Sequence, residues 1–121
     1  MAFVKLYKKT GDKKAIEIQE KMEKEMGAIP EVFQAMGRNG DFLSHMIALM
    51  VTTGKGLDPK TKELIMIAVS AVNGCEYCFK GHSKLAKNAG VSEDEITAAV
   101  EVASTMSAFN NFVKGIGLDS K

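Results

Sequence analysis

Four side chains that can do redox or acid–base chemistry lie close together in this 121-residue sequence. Cys75 and Cys78 are its two cysteines, His82 follows them, and Glu63 precedes them. Two thiols separated by two residues can cycle between dithiol and disulfide, and a neighbouring imidazole can take up or return a proton. A carboxylate can orient that imidazole, directly or through water. We therefore interpret Glu63, Cys75, Cys78 and His82 as the candidate catalytic group.

One helix is predicted to carry both thiols and the imidazole. Asn73-Gly74 is a helix-stopping pair, and residues 80–88 favour a new helix. Cys75 is expected in the first turn of that helix, with Cys78 and then His82 one turn further each along the same face. The positive end of a helix dipole favours a thiolate. Two cysteines on one helical turn can also close into a disulfide without large backbone movement.

The remaining sequence predicts an all-α fold of about five to six helices. The other helical patterns cover Lys13–Met26, residues 30–36 after Pro30, the stretch after an N-cap at Asp41, the stretch after Asp58-Pro59, and residues 93–113 after a Ser92/Glu95 capping box. We predict a single domain over residues 1–121 with its core at about 27–113. Residues 3–7 fit either a short strand or a docking tail, and residues 115–121 are predicted to be a loose tail.

Two helices are apolar on more than one side. Residues 64–72 are apolar on nearly every side, so we expect that helix to be buried all round at the centre of the fold. The last helix has one apolar face with Ile96, Ala99, Val100, Ala103, Met106 and Val113, and a second with Ala98, Val102, Phe109 and Phe112. The second face predicts a subunit interface and therefore a homo-oligomer.

The composition is that of an ordinary globular domain, with 45% hydrophobic and 26% charged residues. A net charge of +1 argues against a nucleic-acid partner, which needs a strong basic excess. No apolar run is long enough for a membrane span, and residues 2–7 do not form a secretory signal. A cytoplasmic location is the default expectation, and there a C-x-x-C pair is more often catalytic or metal-binding than a structural disulfide.

The spacing from Glu63 through Cys75 and Cys78 to His82 resembles the motif of alkyl hydroperoxidase D (AhpD)-like proteins of the carboxymuconolactone decarboxylase superfamily. The resemblance covers roughly residues 27–108, and it includes Phe42, Gly56-Leu57-Asp58 and Lys62-Glu63-Leu64-Ile65. Tyr77 departs from the pattern, because the best-studied hydroperoxidases carry a second histidine there. Tyr77 is a secondary candidate, as a proton donor or a lid over the thiols, and packing is its alternative role.

The resemblance implies an AhpD-like helical bundle and a thiol-dependent reductase of peroxides or disulfides that requires no cofactor. It assigns the attack on peroxide to Cys78 and the resolving role to Cys75. The helix dipole favours Cys75 as the thiolate, so the order of attack stays open. The implied electron donor is a dithiol such as a lipoyl domain or a thioredoxin-like protein, and the implied assembly is a homo-oligomer.

Two other functions are consistent with the same residues. Cys75, Cys78, His82 and Glu63 are all metal-ligand types, so they predict a zinc site as one alternative, and two protomers can supply four thiolates to an iron–sulfur cluster as another. Their short spacing does not match the usual two-pair zinc layout. Lactone decarboxylation, which names the superfamily, does not require a cysteine pair.

Overall fold

A computed structural model of the chain describes residues 2–118. Every regular element in this range is helical, which confirms the all-α prediction. The elements are α1 (Lys13–Met26), α2 (Glu31–Ala35), a 3₁₀ turn (Met36–Arg38), α3 (Gly40–Thr52), α4 (Pro59–Asn73), α5 (Glu76–Asn88) and α6 (Glu93–Gly115). Residues 3–7 form no strand, and the backbone N–H of Tyr7 donates to the carbonyl oxygen of Gln34 at 2.8 Å.

The backbone contacts group the chain into two compact units, one up to Lys55 and one from Gly56 onwards. Each unit has buried apolar residues of its own. In the first they are Ala15, Met22, Ile29 and Leu43. In the second they are Ile67, Ala86, Val91, Ile96 and Ala103. That residues 1–121 act as a single domain stays a prediction.

The first unit is organised by one carboxylate at the start of α1. Asp12 accepts the backbone N–H of Ala15 at 2.9 Å and that of Gly40 at 2.8 Å. It therefore caps α1 and also holds the start of α3. Both hydrogen bonds favour the ionised form and so lower the pKa of Asp12, the bond from Gly40 having the larger effect and the bond from Ala15 the next largest.

A fully buried amide side chain joins three segments of the same unit. The Gln19 amide donates from Nε2 to the carbonyl oxygen of Phe33 at 2.9 Å. Its Oε1 accepts the backbone N–H of Lys9 at 2.6 Å. Both ends of the amide are satisfied, as a buried polar group requires, so the segment before α1 and the middle of α2 are fixed to α1.

Two helix starts in this unit differ from the prediction. Asp41 is not the N-cap of α3, because Asn39 has the extended backbone and its side chain accepts the N–H of Phe42 at 3.1 Å. Pro30 is itself the N-cap of α2, with ψ of 145°, so the helix begins one residue later. Met36 belongs to the 3₁₀ turn that follows α2.

The predicted start and stop signals of the second unit are confirmed. Asp58 caps α4, with Pro59 as the first helical residue, and the left-handed Gly74 ends it. Ser92 and Glu95 form a reciprocal capping box at the start of α6. This helix runs to Gly115, so the predicted loose tail begins too early. Residues 119–121 of that tail lie outside the described residues.

The prediction that α4 is buried all round is wrong for this chain. Ile67 is fully buried against α5 and α6, whereas Ile65, Val69 and Val72 are 47–58% exposed. The second face of α6 is also exposed, at Val102, Phe109 and Phe112, and so is Met106 of the first face. An apolar pattern shows which residues favour burial, but the second unit supplies neighbours for only one side of α4.

None of the helices between residues 2 and 118 is long and apolar enough to cross a membrane.

Candidate functional site

The backbone of Cys75 is fixed by the end of one helix and the start of the next. Gly74 ends α4 with φ of 71°, and the N–H of Cys75 then donates to the carbonyl oxygen of Ser70 at 2.9 Å. Cys75 is the N-cap of α5, one position before the first turn predicted for it, because its backbone is extended. Its Sγ accepts the N–H of Cys78 at 3.3 Å. This contact places a hydrogen-bond donor where it favours a thiolate on Cys75.

The two cysteines are joined as a disulfide across the first turn of α5. The Cα atoms of Cys75 and Cys78 are 5.4 Å apart, within the usual range for a disulfide. Both residues are partly buried. This Cα separation suits a disulfide within one helical turn, and the reversible opening of the pair stays a prediction.

His82 and Glu63 form a hydrogen-bonded pair between α5 and α4. The distance from Nδ1 of His82 to Oε2 of Glu63 is 2.8 Å, and the side chains are 20% and 17% exposed. When the Glu63 carboxylate is ionised it only accepts hydrogen bonds, and Nδ1 of His82 is then the donor. Nε2 of His82, on the other side of the ring, takes no part in this contact. The structure thus brings together Glu63 and His82, which are nineteen positions apart.

Cys78 and His82 lie four positions apart on α5, which places them on one face of the helix. Tyr77 is half exposed. Because Tyr77 and Cys78 are consecutive on α5, their side chains project about 100° apart around the helix axis. The role of Tyr77 as proton donor or lid stays a prediction.

Charge near the disulfide is neutralised on the protein surface. Glu76, in the first turn of α5, pairs with Lys80 at 2.8 Å. The hydrogen bond and charge of Lys80 lower the pKa of Glu76, and Glu76 in turn raises the pKa of Lys80. The carboxylate that follows Cys75 is thus matched by a cation one turn further along.

A zinc site would need three or four ligand side chains that converge on one point within residues 2–118. No group of three or more His, Cys, Asp or Glu side chains in that range is placed to hold a metal ion.

Sequence reasoning missed one contributor to the site. The carbonyl oxygen of Ser70 anchors the N–H of Cys75, and a backbone acceptor has no signature of its own in the sequence. The Asn73-Gly74 pair was the only available signal, since a glycine after a helix predicts the left-handed turn that makes this bond.

The model of the carboxymuconolactone decarboxylase family matches residues 39–118, which include all four candidate residues. The chain belongs to this family. An alkyl hydroperoxide reductase AhpD from Solibacter usitatus (strain Ellin6076) is 40% identical over 60 residues, covering 50% of this chain and 34% of the relative. "Uncharacterized protein 4 in cox locus" from Paracoccus denitrificans is 34% identical over 87 residues, covering 72% of this chain and 78% of the relative.

A solved structure extends the likeness to the fold of nearly the whole chain. The alkylhydroperoxidase AhpD core from Rhodospirillum rubrum ATCC 11170 superposes with a TM-score of 0.78 at 22% identity, covering 96% of this chain and 91% of that one. The predicted AhpD-like fold is therefore confirmed. The chain spans about a third of the length of the Solibacter AhpD relative.

Proposed function

We propose that this protein is a thiol-dependent oxidoreductase that reduces peroxides through the Cys75–Cys78 pair. The observation that carries the proposal is the pairing of His82 with Glu63 at 2.8 Å, one helical turn after a disulfide at the start of α5. Two cysteines that form a disulfide, and an imidazole paired with a carboxylate, thus start from the same helix, which supports thiol chemistry assisted by proton transfer. The likeness to proteins named alkyl hydroperoxide reductase supports peroxide as the oxidant.

The reaction begins from the dithiol form. The Cys78 thiolate attacks one peroxide oxygen, so an S–O bond forms, the O–O bond breaks, and the alcohol leaves with a proton supplied by His82. The thiolate of Cys75 then attacks the sulfenic acid on Cys78, a disulfide forms, and hydroxide leaves as water after protonation. A dithiol donor, such as a lipoyl domain or a thioredoxin-like protein, reduces this disulfide and becomes oxidised itself.

The order of attack can be measured directly. Cys78 precedes His82 by one helical turn, whereas Sγ of Cys75 accepts the N–H of Cys78, a contact that favours a thiolate at Cys75. We expect Cys75→Ser to accumulate a trappable sulfenic acid on Cys78 after one equivalent of peroxide, identified by mass spectrometry. A sulfenic acid that forms on Cys75 in the Cys78→Ser variant, and not on Cys78 in the Cys75→Ser variant, would reverse the two roles.

Turnover with cumene hydroperoxide and dithiothreitol tests the function itself. Both Cys75→Ser and Cys78→Ser should abolish turnover, because each removes one half of the disulfide. Thiol titration should show the two thiols disappearing together after one equivalent of peroxide. Undiminished turnover in both variants would refute the proposal. Thiols that are inert to peroxide but exchange with a partner disulfide would make the protein a disulfide reductase instead.

We also propose that the protein works as a homo-oligomer. The exposed apolar residues of α6 lie at spacings of three and four along one helix, which suits packing against another helix. They are Val102, Met106, Phe109 and Phe112. Sedimentation should show an oligomer at micromolar concentration, and a monomer there would contradict this proposal.

A further inference from the structure

Gly81 lies in the interior of α5, one turn after Cys78. A glycine inside a helix is destabilising relative to alanine, because glycine loses more conformational freedom on folding. Gly81 is not one of the glycines with a positive φ, so a residue with a side chain fits its backbone. The conformation of α5 therefore gives no reason for a glycine at this position.

Close packing gives no reason for it either. Apart from the chain neighbours Lys80 and His82 and the local helix backbone, no atom of residues 2–118 would lie within 4 Å of a Cβ added at Gly81. By contrast, a Cβ added at Gly37 would overlap another segment of the first unit. The space at Gly81 is thus open, and the described part of the chain does not fill it.

The space at Gly81 adjoins the sulfur chemistry. A helical side chain covers the surface over the turn before its own Cα, so a side chain at position 81 would lie beside Tyr77 and Cys78. Gly81 is exposed, whereas the His82 side chain is only 20% exposed and pairs with Glu63 of α4. Along α5, the side of Gly81 therefore offers a more open approach to Cys78 than the side of His82.

Leu85 adds an apolar surface in line with this space. It follows Cys78 by about two helical turns and about 20° around the helix axis, and Gly81 lies between the two. Its side chain is 42% exposed. Small organic groups are bound mainly by contact with apolar side chains. An apolar group that extends from Cys78 across Gly81 would therefore reach Leu85.

We propose that the space at Gly81 holds the organic group of the hydroperoxide and that Leu85 contacts this group. The inference rests on the proposed function, in which the Cys78 thiolate takes one oxygen of ROOH and becomes a sulfenic acid, while ROH leaves with a proton from His82. The organic group is bonded to the leaving oxygen, so it lies beside the reacting sulfur, where the space at Gly81 is open. Gly81 and Leu85 accordingly determine specificity for the organic part of the substrate, which hydrogen peroxide lacks.

Gly81→Leu tests the proposal in the reduced full chain, by the second-order rates of thiol loss with cumene hydroperoxide and with hydrogen peroxide. We expect the reaction with cumene hydroperoxide to slow at least about tenfold and that with hydrogen peroxide less than about twofold, because leucine fills space that only the organic group needs. The matched control is Gly115→Leu, which adds the same side chain at another helical glycine with open space. It should leave both rates unchanged.

Leu85→Ala tests the apolar contact without crowding the thiol. This variant should slow the reaction with cumene hydroperoxide several-fold and leave that with hydrogen peroxide unchanged, because it removes a surface that only the organic group contacts. The Leu85 side chain is not part of the buried core, so the variant should fold. If Gly81→Leu does not fold, Leu85→Ala decides alone.

Equal slowing with both peroxides in Gly81→Leu, or unchanged selectivity in Leu85→Ala, would overturn the inference and leave the proposed function intact. Equal slowing together with a change of sedimentation in Gly81→Leu would assign the space to a second copy of the chain. Loss of thiols with neither peroxide in the unmodified chain would overturn the proposed function, and this inference with it.

Discussion

Replacing Glu63 with glutamine tests whether this residue positions His82. The substitution keeps the size of the side chain and one oxygen, but it removes the negative charge 2.8 Å from Nδ1 of His82. The two side chains are only 17% and 20% exposed, so water and salt screen the interaction weakly. Removing the charge of Glu63 should therefore change the rate of the peroxide reaction by nearly the full energy of the interaction.

The expected size follows from the type of bond. A hydrogen bond to an ionised partner contributes roughly 1.5–3 kcal/mol. Since about 1.4 kcal/mol corresponds to a factor of ten in rate, the peroxide reaction should slow by about 10- to 150-fold. A slowing of this size requires that the Glu63 carboxylate stabilises the transition state more than the ground state by that amount.

The assay is the second-order rate of thiol loss when the reduced protein meets cumene hydroperoxide in stopped flow. The matched control is Glu101→Gln, which makes the same change at an exposed position on α6. His82→Ala and the His82→Ala/Glu63→Gln double variant complete the cycle, because a residue that acts only through His82 should add no further loss. Equal rates for Glu63→Gln and Glu101→Gln, or fully additive losses, would refute the positioning role.

Three further outcomes follow from the helix ends, the core and the caps. Gly74→Ala and Gly27→Ala should each lower the free energy of unfolding in urea by about 1 kcal/mol, because both glycines are left-handed helix ends with open space around an added Cβ. Only Gly74→Ala should also slow peroxide reduction. Equal activity in the two variants would contradict a role of Gly74 in placing the cysteines. Ile67→Ala should cost about 2–5 kcal/mol as a fully buried residue, whereas Ile65→Ala, half exposed, should cost well under half of that. The pKa of Asp12 lies below its ordinary 3.8, so its ionised form stabilises the fold above pH 3.8, and this contribution is lost as the pH falls through the lowered pKa. Asp12→Asn should therefore remove that part of the acid dependence of the urea midpoint. An unchanged pH profile of the midpoint in Asp12→Asn would contradict this role of Asp12.

Helix ends that depend on local chemistry could be predicted from the sequence. The first helix has the predicted bounds, Lys13–Met26, because Gly27 ends it in the left-handed conformation. Asp58-Pro59 and the Ser92/Glu95 box are equally local, since each cap bonds an N–H within three residues.

The sequence could not predict which of two neighbouring candidate residues caps a helix. Asn39 and Asp41 are both good N-caps, and only the extended backbone of Asn39 decides which one caps α3. The position of Cys75 as N-cap, and not in the first turn of α5, could not be predicted either, since the left-handed Gly74 determines where the chain can become helical again. Backbone conformation at such junctions depends on both flanking elements, whereas sequence signals describe one element at a time.

Apolar patterns predicted the buried residues of the second unit less well. Ile67 and Val69 both lie in the apolar run of α4, yet one is fully buried and the other is half exposed. The pattern gives the preference of each residue for burial, but the side on which α5 and α6 pack is set by the connections between helices. Exposed positions on such a helix are therefore the ones for which the chain itself supplies no cover.

The pairing of Glu63 with His82 could be predicted because it depends on a hairpin and not on distant packing. Gly74 reverses the chain, and a connection this short makes α4 and α5 antiparallel neighbours. Glu63 lies about 16 Å before Gly74 along α4, and His82 lies about 12 Å after it along α5. The two residues consequently reach a similar depth in the hairpin, where long side chains span the remaining difference. A motif spread over two helices then has a fixed spacing, because one extra residue before Gly74 would turn Glu63 about 100° away from His82.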